Sequence, residues 1–227
     1  MDMVSEQIEA RGVRTPSVLA AMRRVPRHCF VPEDSAAAAY ADTPLPIGHG
    51  QTISQPYIVA LMTELIRPEP EFTVLEIGAG SGYQAAVLAA LVRQVYTIEI
   101  LAPLAEAAAD RLRRNGYLNA EVIQGDGYHG WPPRAPYDAI LVTAAAPAIP
   151  PPLIRQLKTG GRLVIPVGAP GGVQELVLVE KTAPAVFRTT PVLPVRFVPF
   201  TRNGSVSGGC EFGAWRWRLQ SWSVDAG

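Results

Sequence analysis

Three acidic residues sit with three apolar runs: Glu76 inside 73–77, Glu99 closing 94–99, and Asp126 just after 120–124. Between the first two runs lies Gly78-Ala79-Gly80-Ser81-Gly82. Glycines after a buried strand let the backbone turn sharply and approach a ligand with no Cβ in the way. A helix beginning near Gly82 aims free N–H groups at that ligand. Glu99 lies 21 positions beyond Gly78, where a carboxylate accepts both hydroxyls of a ribose. Asp126, within Gly125-Asp126-Gly127, is placed to reach an adenine amino group. A glycine turn alone also builds unliganded strand–helix junctions; with three acids around it, a nucleotide site is the stronger reading. The loop reads G-x-G-x-G rather than G-x-G-x-x-G, with Glu76 two positions ahead. A pyrophosphate would be repelled by that carboxylate, whereas an amino group is not. The residues favour S-adenosyl-L-methionine over NAD.

Just upstream, residues 46–56 read PIGHGQTISQP, a polar glycine-bearing segment able to fold over the cofactor loop. Ser54 and Pro56, followed by Ile58, Leu61, Met62 and Leu65 at helical spacing, predict a helix with Ser54 as its N-cap. Pro68 and Pro70 end it. Residues 2–25 read as helical, with Thr15-Pro16 starting a second helix, and 26–50 as short helices and loops. From Thr73 onward β-type runs at 73–77, 94–99, 120–124, 137–143, 161–167 and 174–180 alternate with helical stretches at 82–92, 102–115 and 150–157. Such alternation predicts a mostly parallel, doubly wound α/β sheet with added N-terminal helices. Gly160-Gly161 and hairpin-like spacing beyond them predict antiparallel strands at its end. Residues 1–202 are expected to form a single domain: 1–72 supply the helices and acceptor loop, and 73–202 the cofactor-binding sheet. Residues 203–227, with Trp215, Trp217 and Trp222 among arginines, form a tail to which no firm structure is assigned.

The 227 residues include 48% hydrophobic and 18% charged, a globular composition. Lys+Arg and Asp+Glu each total 20, which argues against a broad basic face for nucleic acid. Cys29 and Cys210 make neither a disulfide framework nor a metal set. His28 and His129 have no metal-like partners, and Tyr83 and Tyr128 are expected at loop edges. The longest apolar run, 85–92, is too short to cross a bilayer, and the N-terminus lacks an apolar signal core. A cytoplasmic monomer without membrane or nucleic-acid partners is expected.

From about Pro26 to Thr201 the chain resembles the protein-L-isoaspartate O-methyltransferases. The match includes FVPED at 30–34, PIGHGQTIS at 46–54, VLEIGAGSGYQAAVLA at 74–89, GDGYHGWP at 125–132 and FVPFT at 197–201. The glycine loop fits many methyltransferases; PIGHGQTIS and GDGYHGWP are far more specific. The resemblance implies a Rossmann-like fold and methylation of the α-carboxyl of L-isoaspartyl residues in damaged proteins and peptides. The ester then closes without the enzyme to a succinimide, which hydrolyses partly to normal aspartate. It also implies that Ser54 is the active-site residue and that Ile47, Gly48, His49 and Gly50 line the cleft. Gly78, Gly80, Gly82, Glu76, Glu99, Asp126 and Gly127 would hold S-adenosyl-L-methionine. Thr52, Ser54 and Thr201 would meet the substrate.

The residue set suits that chemistry. A carboxylate with a pKa near ~4 is ionised at neutral pH and needs no strong general base. Alignment of oxygen, methyl carbon and sulfur, with water excluded, is what remains to be supplied. A serine hydroxyl can orient the acceptor oxygen, and no G-x-S-x-G elbow surrounds Ser54. The alternative keeps the chemistry and changes the acceptor to an Asp of a dedicated ribosomally made peptide; such relatives usually carry a longer C-terminal domain. Two departures fall on the substrate side: Phe200 stands where the family commonly has Leu, and Arg202 follows Thr201.

Overall fold

Thr73–Ile77, Gln94–Glu99 and Tyr137–Val142 are almost wholly buried, as strands inside a parallel sheet must be. The computed structural model, which describes residues 2–202, builds them into the centre of one sheet. The tail expected from residue 203 lies outside the described residues.

The N-terminal part is helical. A π-helical turn over Met3–Ile8 is capped by Asp2, whose carboxylate accepts from Val4 N (3.0 Å) and Ser5 N (3.5 Å). A 3₁₀ turn ends at Gly12 in the left-handed region, and α1 (Pro16–Arg24) follows, with proline at its start as expected. Two further 3₁₀ segments, Arg27–Phe30 and Glu33–Ala38, lead to β1 (Leu45–Gly48) and β2 (Gln51–Ile53), an antiparallel hairpin. In the sequence this hairpin has the look of a loop, because its strands are short and Pro46 and the glycines mask their alternation. Next come α2 (Pro56–Leu65), β3 (Thr73–Ile77), α3 (Tyr83–Ala89), β4 (Gln94–Glu99), α4 (Ala102–Arg114) and β5 (Ala120–Gln124). The chain continues through β6 (Tyr137–Val142), α5 (Pro151–Gln156), β7 (Leu157–Val167), β8 (Gln174–Ala183) and β9 (Val186–Val195).

The seven-stranded sheet runs β5-β4-β3-β6-β7-β8-β9, parallel as far as β7 and antiparallel beyond it. The antiparallel finish is as expected, with Gly160-Gly161 inside β7. β9 went unforeseen as a strand. It is an edge strand, mostly exposed and carrying Pro191 and Pro194, residues that an edge tolerates and a central strand does not.

Strand side chains alternate between the two faces. Val74, Val95, Ala139 and Leu141 join the core beneath α2, α3 and the N-terminal helices. Leu75, Ile77, Tyr96, Ile98, Ile140 and Val142 join a second core with Leu153 of α5. Glu76 has the parity of Val74 and so points into the first, larger core. On α4, Leu104, Ala105, Ala108 and Leu112 form the buried stripe, the spacing that a helix lying on a sheet requires.

Candidate cofactor and acceptor site

β3 has β4 on one side and β6 on the other, so the chain leaves it in opposite directions on its two flanks. In such sheets a crevice opens at the carboxyl ends of the strands where the order reverses. The glycine loop fills that position. Gly78 N and Ala79 N donate to Ile98 O (2.8 and 3.2 Å), which folds the loop back over β4. Gly78 has φ +98, and a Cβ there would lie 2.5 Å from Thr143 Oγ1, the hydroxyl seated 2.7 Å from Gly78 O. A Cβ on Gly127 would meet Ile77 Cγ2 at 2.3 Å, so only glycine lets the 125–127 loop close over the end of β3. The resulting cavity is walled by Gly78, Gly80, Glu99, Gly127, Phe200 and Thr201, among others.

Glu99 is buried and held rigidly. Oε2 accepts from Gly80 N (2.8 Å) and Oε1 from Leu101 N (3.0 Å). Each oxygen keeps a second lone pair, enough for a pair of hydroxyls. Asp126 is part-buried between Gly125 and Gly127 of the cavity wall. Its Oδ1 accepts from Tyr128 N (2.9 Å), and its Oδ2 is 3.5 Å from Arg202 Nε. The Arg202 guanidinium lies 3.8 Å from the Tyr128 ring centroid, so the charged departure noted in the sequence leans onto the loop that carries Asp126. Gly82 is the N-cap of α3 at φ +89 and packs on Ala108 and Leu112 of α4. Beside it, Ser81 Oγ accepts from Tyr83 N (3.3 Å).

Glu76 has no exposed surface, and neither carboxylate oxygen has a hydrogen-bond partner among the described residues. The hydroxyl of its register partner Thr97 opposes the effect of burial without forming a hydrogen bond of regular geometry. Removal from water raises the Glu76 pKa to about 8, and the nearby Glu99 charge adds to the rise. A buried carboxyl with nothing to bind is expensive. It lines a small cavity with Ser54, Ser81, Gln84 and Thr143, as a group held ready for a cationic ligand would.

The acceptor segment is the β1/β2 hairpin. Ile47 is buried, its Cδ1 3.4 Å from where a Cβ on Gly80 would stand; that contact seats the hairpin on the glycine loop. Thr52 reaches both the cofactor cavity and a wider groove outside it. Gly48, His49 and Gly50 form the exposed turn, His49 with φ +52, and stand outside the walls of these cavities. Ser54 lies between the outer groove, shared with Gln55, Arg196 and Phe197, and the small cavity over Glu76.

Ser54 is not the N-cap expected of it. Gln55 occupies that position without capping by its side chain. The cap comes from Asp42, which accepts from Tyr57 N (3.0 Å) and Gln55 Nε2 (3.3 Å) and pairs with Arg11 (2.5 Å). The Ser54 hydroxyl makes no hydrogen bond to another described residue. Opposite the hairpin, Val198–Phe200 is pinned beside β6 by Ala145 N to Val198 O (2.8 Å) and Phe200 N to Ala145 O (2.9 Å). Thr201 follows, exposed, at the cavity mouth.

Two residues escaped the sequence reading. Arg27 is fully buried, and its guanidinium reaches Ser54 O; no local pattern announces it. Tyr83, expected at a loop edge, is buried against Phe30. His28 Nδ1 is 2.6 Å from Tyr40 Oη. Among the described residues, no cluster of His, Cys, Asp and Glu could hold a metal, and no helix is long and apolar enough to cross a membrane.

The chain is similar to known proteins over most of its length. Residues 1–205 match the model of the protein-L-isoaspartate(D-aspartate) O-methyltransferase family. A protein-L-isoaspartate O-methyltransferase 2 of Polaromonas sp. is 65% identical over 81% of this chain and 87% of its own. One of the same name from Syntrophobacter fumaroxidans is 62% identical over 82% of this chain and 75% of its own. Among solved structures, a protein-L-isoaspartate O-methyltransferase superposes with TM-score 0.79 at 31% identity, over 86% of this chain; this chain spans 64% of that longer one. A Plasmodium falciparum protein, described as a candidate enzyme of the same kind and solved with S-adenosyl-L-homocysteine, gives TM-score 0.77 at 26% identity over 88% of this chain and 97% of its own. With a Rossmann-like sheet, a glycine loop at its switch point and a family match across the described residues, the chain belongs to the protein-L-isoaspartate(D-aspartate) O-methyltransferase family.

Proposed function

We propose that this chain transfers a methyl group from S-adenosyl-L-methionine to the free α-carboxylate of L-isoaspartyl residues in damaged proteins and peptides, which starts repair through a succinimide. The observation that carries the reading is the position of Ser54, which borders both the outer groove and the small cavity over Glu76. Acceptor and donor then meet at one hydroxyl from opposite sides.

The residues fit the cofactor. Glu99 keeps free lone pairs for ribose hydroxyls, Asp126 stands at the adenine end, and the unpartnered Glu76 oxygens suit an amino group. When bound, S-adenosyl-L-methionine supplies an electrophilic methyl on a sulfonium. Ser54 orients the acceptor carboxylate by donating a hydrogen bond to one oxygen, leaving the other free to attack. Thr52 and Thr201 flank the acceptor at the two sides of the cavity mouth. The hairpin and the 198–201 segment keep water out, which strengthens every polar contact inside. No side chain must remove a proton, because the acceptor arrives ionised.

The enzyme is read as a cytoplasmic monomer with residues 1–202 as one domain, acting without nucleic acid or membrane. Its balanced charge supports the absence of a nucleic-acid partner. The test is transfer of labelled methyl from S-adenosyl-L-methionine to matched peptides containing isoaspartate or aspartate. Labelling of the isoaspartyl peptide alone is expected. Equal labelling of both, or of neither while cofactor binding persists, would turn the reading toward a dedicated peptide acceptor.

A further inference from the structure

Arg27 has no exposed surface, yet among the described residues no carboxylate bonds to it, Asp42 acting only through its charge. Its guanidinium is surrounded instead by main-chain carbonyls. Nη1 donates to Ala39 O, and Nη2 to both Thr43 O (3.2 Å) and Ser54 O (3.0 Å). Nε has no partner among the described residues. Burying an arginine without a paired anion is costly, and an apolar side chain of similar size would fill the same volume. What an apolar residue would not do lies in the identity of the carbonyls. Thr43 lies two residues before β1, and Ser54 immediately follows β2. One nitrogen therefore closes the base of the acceptor hairpin. The guanidinium carbon is also 5.8 Å from the ring centroid of Tyr83, the first residue of the helix after the glycine loop. The same cation thus touches both the acceptor segment and the element that follows the cofactor loop.

We infer that Arg27 is a positioning residue for methyl transfer, clamping the base of the hairpin so that the Ser54 hydroxyl is held in register with the cofactor loop. The inference rests on the reading of Ser54 as the acceptor-orienting residue. A planar fork serves where an ammonium does not, because three carbonyls are held by two nitrogens set rigidly apart, Ala39 O by Nη1 and Thr43 O and Ser54 O by Nη2. Misplacing a reacting group by about 1 Å lowers rate on the order of 10²-fold.

The test compares wild type, Arg27→Lys, Ser54→Ala and the double variant. It reads kcat and KM for an isoaspartyl peptide, Kd for S-adenosyl-L-homocysteine, and folded fraction by circular dichroism. For Arg27→Lys we expect kcat per folded molecule to fall about 100-fold, with KM and Kd within about threefold. In the Ser54→Ala background the same change should remove less than about threefold more, because the two residues act as one unit. Where Arg27→Lys does not fold, Arg27→Gln, which keeps two donors and buries no charge, is read in the same way. Activity and cofactor binding falling together with folded fraction would reduce Arg27 to a folding role and overturn the inference. So would full additivity with Ser54→Ala. Unchanged turnover in Ser54→Ala alone would instead sink the reading of Ser54, a different result.

Discussion

Replacing Glu76 by glutamine should make the unliganded protein more stable as pH rises, relative to wild type, while weakening its hold on the cofactor. In the unfolded chain this carboxyl titrates near 4.5; in the fold, burial without a partner raises it to about 8. Between those values the folded protein carries a proton that the unfolded chain has released, so folding takes one up. Stability from this residue is therefore fully present below pH 4.5 and is lost progressively as pH rises to about 8. The slope is about 1.4 kcal/mol per pH unit. Over the whole window it amounts to roughly 5 kcal/mol, of which roughly 3 is already lost at pH 7. Glutamine does not titrate, and its amide brings its own unsatisfied donors, worth about 1–3 kcal/mol. The slope, not the absolute difference, is thus the clean quantity. Urea unfolding of both proteins without ligand at pH 6, 7 and 8 measures it. Relative to Glu76→Gln, the wild-type value should fall by about 1 kcal/mol per unit, more steeply between pH 6 and 7 than between 7 and 8, where the folded carboxyl begins to ionise.

Binding supplies a second, independent readout. At pH 7 about nine-tenths of the Glu76 carboxyls are neutral, so pairing with the amino group of S-adenosyl-L-homocysteine should release close to one proton. Calorimetry in two buffers of different ionisation enthalpy counts it. Glu76→Gln should release none and bind about tenfold or more weakly, the usual loss for a hydrogen bond to a charged group. Parallel stability profiles for the two proteins, together with no proton release, would refute the argument: the carboxyl would then be ionised before ligand arrives. A stabilising change that weakens function is what a strained binding group should produce.

Three further outcomes follow from the site. Ser54→Ala should lower turnover about 100-fold with near-normal Kd for S-adenosyl-L-homocysteine, as the proposed acceptor-orienting role of a hydroxyl that caps nothing requires; kinetics beside calorimetry check this. Glu99→Ala should weaken cofactor binding and also lower stability by about 1–3 kcal/mol, since Gly80 N and Leu101 N lose their acceptors; a chemical-denaturation curve reads the second effect without ligand. Asp42→Ala should destabilise by about 0.5–2 kcal/mol through loss of the α2 cap, whereas Ser54→Ala should leave that stability almost unchanged. Thermal melts of the two variants separate them.

The sheet was legible because a buried strand writes its own periodicity. Runs at 73–77, 94–99 and 120–124 are local facts, and the glycine loop after the first is a local demand of the turn. Glu99 could be assigned to a strand end for the same reason. Resemblance carried Ser54 and the acceptor chemistry; residue types alone offered an N-cap. What stayed out of reach depends on neighbours far along the chain. Asp42, fifteen residues from Tyr57, takes the capping role that Ser54 seemed to fill, and a distant acceptor leaves no mark at the helix start. β9 looked unlike a strand because an edge tolerates prolines and exposed side chains. The parity that turns Glu76 into the larger core could be counted, but the absence of any partner there could not. Arg27 reads as one more surface cation until the fold brings Thr43 O and Ser54 O to its nitrogen. Periodicity and turn chemistry reside in the sequence because they act between neighbours; hydrogen bonds and burial that join residues tens of positions apart exist only once the chain has closed around them.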